Sequence, residues 1–86
     1  MPTISAFFGI AIRMYHDDHA APHFHLYYGE HQAKIEIETL RIMAGSAPKR
    51  VVAMVLEWAF EHRAELVEDW RLAMAHKPLK PIAPLE

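Results

Sequence analysis

Cysteine is missing altogether, which excludes a disulfide framework, cysteine-ligated zinc fingers and thiol chemistry, and fits a reducing compartment. Glycine occurs only three times, and with 52% hydrophobic residues the chain has the material for a small core and is not compositionally disordered. No apolar run approaches the roughly 20 residues of a membrane span, and Met1-Pro2-Thr3 lacks the charged and apolar regions of a signal peptide. The expectation is a soluble, untargeted, cytoplasmic protein. A surplus of basic charge is missing too: Lys plus Arg total 9 against 11 for Asp plus Glu, which argues against a polyanion binder held by bulk charge. At 86 residues there is room for one domain and no separate regulatory lobe. What the chain does have is histidine, seven in all, and seven protons would carry its net charge from −2 to +5.

The large apolar residues Ile4, Phe8, Ile10, Ile12 and Met14 recur at even positions, so a half-buried strand is expected over 4–14, with Gly9 marking a bulge. This register puts Phe7 on the outer face. The polar segment 16–22 ends in Pro22 and reads as a loop. A second strand then carries Phe24 and Leu26 on one face and His23, His25 and Tyr27 on the other. Gly29-Glu30 supplies a two-residue hairpin turn, after which Ala33, Ile35 and Ile37 alternate with Lys34, Glu36 and Glu38. This turn sets Leu26 opposite Ala33, Phe24 opposite Ile35, His25 opposite Lys34 and His23 opposite Glu36. Residues 40–47 read as a connection, and Ser46 with Pro48 resembles a helix start. Helical stripes run through Val52, Val55, Leu56 and Ala59, then Leu66, Trp70, Ala73 and Met74, with a bend expected near Glu61-His62-Arg63. Three prolines, Pro78, Pro81 and Pro84, keep residues 77–86 out of helix, as an extended tail of the single domain 1–86.

Five of the seven histidines fall within residues 16–31, and their spacing carries the chemistry. His23-Phe24-His25 on a strand places both imidazoles on one face, about 7 Å apart along the chain at about 3.3 Å per residue. Two such rings can share a divalent transition metal, with His19 or Asp18 as a further ligand and an open position for water. The inferred neighbours oppose this reading: Arg13 lies opposite His25, and Lys34 flanks it on the other side. Two fixed cations repel a divalent ion but suit a phosphate. In that second reading Arg13 and Lys34 hold a phosphodiester, while His23, poised by Glu36, and His25 exchange protons without any metal. Tyr15 and Tyr27 on the same face are placed to stack bases. Against both stands the plain reading that this is an exposed sheet face with half-buried polar side chains. Trp58, Trp70, Met54 and Met74 have the helical spacing of core or interface residues, and Glu68 with Arg71 makes a local helix pair.

Arg13-Met14-Tyr15, Asp18-His19, Pro22-His23-Phe24-His25, Leu56-Glu57-Trp58, His62-Arg63, Trp70 and the closing Pro81-Ile82-Ala83-Pro84-Leu85 together resemble a small bacterial family, domain of unknown function forty-one sixty. The resemblance runs without a gap from Pro2 to Glu86. It departs from the family's usual pattern at Ala20-Ala21, where prolines commonly precede the histidine segment. It implies a genomic setting like that of a toxin-antitoxin pair, with a small neighbouring gene, and some members described as transcriptional regulators. It brings no established activity.

The expected fold is α+β: a three-stranded antiparallel meander packed on one face by two C-terminal helices. The expected function is a component of a toxin-antitoxin-like module that binds or cleaves RNA through the His/Arg/Lys face, without a cofactor. Its partners would be RNA and the product of a neighbouring gene; a homo-oligomer is open, and no membrane is involved. The alternative is a non-enzymatic regulatory or interaction module that binds a transition metal through His23 and His25.

Overall fold

A computed structural model describes residues 3–16 and 20–86. Five strands, β1 (Thr3–Phe7), β2 (Ile10–Arg13), β3 (His23–Tyr28), β4 (His31–Glu36) and β5 (Ile42–Ser46), form one antiparallel sheet in the order β1-β2-β3-β4-β5. Two helices follow, α1 (Lys49–Glu61) and α2 (Arg63–Met74). The architecture is therefore α+β with an antiparallel sheet and two C-terminal helices, and the three strands expected become five.

Both additional strands have a local cause. The run 4–14 is a hairpin and not one strand, because Phe8 and Gly9 take φ values of 49° and 78° and reverse the chain, pairing Phe7 with Ile10. Positive φ at both central residues suits a two-residue hairpin loop, and a phenylalanine in the first place hides the usual Asn-Gly signal. Phe7 thereby enters the core at 7% exposure and Phe8 stands out at 62%, the reverse of the expected placement. β5 was hidden because every one of its residues is exposed and none alternates. Its register against β4 shifts between Lys34 and Ile35, and Ser46 belongs to this strand; α1 begins only at Lys49, after Pro48. Gly45 has φ +79°, and a Cβ there would lie 2.2 Å from the carbonyl oxygen of Gln32.

The central hairpin has the expected register at every pair: His23 with Glu36, Phe24 with Ile35, His25 with Lys34 and Leu26 with Ala33. Arg13 pairs with His25 across β2 and β3. Ile12, Met14, Phe24, Leu26, Ile35 and Ile37 are buried with Val51, Val55 and Ala59 of α1 around the indole of Trp58. That ring meets Phe7 at 5.5 Å and Phe24 at 5.9 Å between centroids. The helix bend falls at His62, whose φ of −116° breaks the helical path. His62 Nδ1 then binds Glu65 Oε1 at 2.5 Å. α2 ends through His76 at φ 56°, with the Lys77 amide donating to Leu72 O at 2.9 Å, so a histidine fills the left-handed cap position usually given to glycine. The tail then returns across the molecule: Lys80 N donates to Asp69 Oδ1 at 2.9 Å and Ile82 N to Ile4 O at 2.7 Å. Trp58 Nε1 donates to Ala83 O at 2.8 Å.

Candidate functional site

Strand pairing puts Arg13, His25 and Lys34 side by side as direct cross-strand neighbours on β2, β3 and β4. They lie on the face opposite Phe24, Leu26 and Ile35, since successive side chains alternate across a sheet. The adjacent row contains Tyr27 between Ala11 and Gln32. Arg13 lays its guanidinium carbon 4.9 Å from the centre of the Tyr27 ring, a cation–π contact that orients its remaining donors. Among the described residues its buried Nε has no hydrogen-bond partner. Tyr15 meets His25 edge-on at 4.6 Å, and His25 stacks against Tyr27 at 6.3 Å. The Tyr15 and Tyr27 hydroxyls are hydrogen-bonded to each other. Burial first, and then this bond to Tyr15, push the Tyr27 phenol up to about 12, so it remains a neutral hydroxyl at physiological pH. Beside these residues His25, Tyr27, Gln32, Ala33, Lys34, Ala44 and Gly45 line a depression of about 290 Å³.

His23 occupies a different environment from His25. It is fully buried, at 0% exposure, although the alternation directed it away from the core. Trp70 of α2 accounts for part of this cover, with ring centroids 5.3 Å apart, and His25 lies 5.1 Å away on the other side. His23 Nδ1 is 2.7 Å from Ala21 O, so it donates a hydrogen bond there. Glu36 sits beside His23 in register, but its carboxylate accepts from Thr39 Oγ1 at 2.7 Å and lies 4.0 Å from Arg41 Nε. The described contacts of Glu36 thus anchor the turn after β4. Asp18 and His19 lie outside the described residues.

The structure thus brings Arg13, His23, His25 and Lys34 together. It adds residues that sequence spacing did not join to them. Trp70 had the signature of a core residue, yet it is half-buried and borders the histidines. His16 and His76 stack at 6.1 Å with their planes 15° apart, and His16 Nε2 lies 3.3 Å from Lys77 O. Sixty residues separate this pair, and no local pattern links them. Among the described residues no group of three or more His, Asp or Glu side chains is placed to hold a metal ion. No helix among them is long and apolar enough to cross a membrane.

Fold and face together define a small α+β protein whose distinguishing surface is a cationic, histidine- and tyrosine-bearing sheet face. The chain belongs to the family described as Domain of unknown function (DUF4160), whose model matches residues 9–71. That span includes Arg13, His23, His25, Lys34 and Trp70, and leaves out β1 and the C-terminal tail. No curated protein and no solved structure matches the chain.

Proposed function

We propose that this protein binds single-stranded RNA through the phosphate backbone, as one component of a toxin-antitoxin-like module. The observation that carries the reading is the lateral row Arg13–His25–Lys34, two fixed cations on either side of an imidazole, next to a depression and two tyrosines. A chain with a net charge of −2 has no bulk attraction for RNA, so affinity must come from a local row of this kind. Arg13 and Lys34 would hold phosphate oxygens, and Tyr15 would offer its ring to a base, the Tyr27 ring being already packed against Arg13 and His25. Support for the paired-gene setting comes from family resemblance alone.

Binding fits this geometry better than cleavage by two imidazoles. General acid–base chemistry on a phosphodiester needs both rings within reach of the reacting oxygens. His23 is enclosed, its Nδ1 engaged by Ala21, and its role here is to position His25. A single observation favours the metal-binding alternative: a backbone carbonyl orienting one ring nitrogen is the arrangement found behind ligating histidines. Arg13 and Lys34 weigh against it, because they flank His25 directly.

Purified protein, alone and with the product of its neighbouring gene, is titrated into short fluorescent RNA in the presence of a chelator. Affinity is expected to fall with salt. Arg13→Ala and Lys34→Ala should each reduce the log–log salt slope by about 0.7, the value for one single-strand phosphate contact. Affinity that vanishes with the chelator and returns with one equivalent of zinc, but not in His23→Ala, would establish the metal reading instead. Absence of any binding under both conditions overturns the proposal in favour of a non-enzymatic interaction module.

A further inference from the structure

A second concavity lies around the end of the sheet from the cationic row. Pro22, Ile37, Glu38, Arg63, Val67 and Trp70 enclose about 500 Å³ between α2 and the ends of β3 and β4. That is within the range of ligand pockets, which are mostly apolar with a few placed polar groups. Its walls have this composition: Trp70, Val67, Ile37 and Pro22 provide apolar surface, and Arg63 and Glu38 provide one charge of each sign. Val67 is 54% exposed, an apolar side chain on a helix position that core packing does not use. Arg63 is held in place by its Nε on Ile37 O at 3.3 Å and by the Phe60 ring 5.7 Å from its guanidinium carbon.

Trp70 connects this groove to the cationic row. Its ring is 5.3 Å from His23, and His23 is 5.1 Å from His25, so two ring-to-ring steps lead from the groove wall to the imidazole between Arg13 and Lys34. The groove wall and the row therefore lie near each other in the fold. We infer that the groove is a nucleobase pocket, in which one unstacked base of the bound strand lies against Trp70 and Val67 while Arg63 and Glu38 meet its polar edge. The inference rests on the RNA-binding reading above and adds to it a place where one base is distinguished from its neighbours. An indole face beside apolar walls recognises a base as single-strand binders do, by stacking, and the paired donor and acceptor supply edge contacts.

The test uses a set of pentanucleotide RNAs in which each base in turn is replaced by an abasic residue, read by binding affinity and by tryptophan fluorescence. Trp58 is fully buried, so a fluorescence change on binding reports on the half-buried Trp70. Removal of one particular base is expected to weaken binding about ten-fold and to abolish quenching, as loss of one stacked base does. Val67→Gln, a substitution on an exposed helix position that leaves the core intact, should bind the intact strand about as weakly as the wild type binds that abasic one. Trp70→Phe should keep part of the affinity and lose the quenching. Equal affinity for all abasic strands, with unchanged fluorescence, overturns the pocket while leaving phosphate binding in place. Failure of every strand to bind overturns both readings.

Discussion

Tyr27 shows how a side chain on the polar face is fixed by its neighbours. Its ring lies under Arg13 and against His25, and its hydroxyl is bonded to Tyr15. Burial raises its pKa most, the bond to Tyr15 adds to this, and the Arg13 charge opposes it. For an acid whose folded pKa is raised, the associated stability is present below the unfolded value and is lost as pH climbs through the folded one. Here the window runs from the ordinary 10.0 up to about 12. Ultraviolet absorbance titration should therefore show one of the three tyrosines retaining its proton until about pH 12. Tyr15→Phe should lower that value without returning it to 10.0, since burial remains. A wild-type titration with all three phenols ionising together near the ordinary value would show that neither the burial of Tyr27 nor its contact with Tyr15 persists in solution. The pairing of His25 with Lys34 was legible in the sequence because strand alternation and a two-residue turn fix side-chain neighbours from local pattern, and Arg13 joined them once the connection before β3 was taken as residues 16–22. The burial of His23 was not, because Trp70 arrives from a helix more than forty residues downstream.

Strands β3 and β4 were readable as a hairpin, whereas β5 was not, and the difference is physical. One face of the hairpin is covered, so apolar and polar residues must alternate; β5 is an edge with no residue in the core and has no pattern to obey. What fixes β5 is one backbone requirement. Gly45 occupies a left-handed conformation in contact with the Gln32 carbonyl, a position where a side chain meets both strain and a clash with backbone. Gly45→Ala is expected to destabilise the protein by about 1 to 3 kcal/mol. Hydrogen exchange should place the damage in β4 and β5, with amides of β2 and the helices still protected. A variant with unchanged exchange across 42–46 would mean that the strand tolerates another path. The depression beside Lys34 borrows Ala44 and Gly45 from this strand, so the same substitution should also weaken phosphate binding. The two helices were legible from their apolar spacing, but the stripes were partly misplaced. α1 buries Val51, Val55, Trp58 and Ala59 and α2 buries Leu66, Asp69, Leu72 and Ala73, while Val52, Leu56 and Trp70 are half-buried and Met74 is exposed. The break at His62 lacked a glycine or proline to mark it.

The segments outside the family match are tied to each other and to the core. β1 precedes it and the tail follows it, and Ile82 N donates to Ile4 O between them. Ile82 is 4% exposed, and Ala83 O receives the indole N–H of Trp58, so the tail completes the hydrogen bonding of the central core residue. Its other anchor is Asp69, almost fully buried on α2, with Oδ1 on the Lys80 amide and Oδ2 without a partner among the described residues. Desolvation raises the Asp69 pKa, against the lowering effect of the Lys80 hydrogen bond. A carboxyl group whose folded pKa is raised binds protons more readily folded than unfolded. Its contribution is complete below the unfolded value of 3.8 and is lost as pH rises through the higher folded one. Glu68 has the opposite sign, held low by its bonds to Arg71, but this pair is solvent-exposed and is screened by moderate salt. Asp69→Asn keeps an oxygen for the Lys80 amide and removes the charge. Denaturant melts in moderate salt should therefore show the wild type gaining stability relative to Asp69→Asn as pH falls from 7 toward 4. A difference that stays constant over this range would mean that Asp69 holds the tail through its hydrogen bond alone, with no buried charge to neutralise.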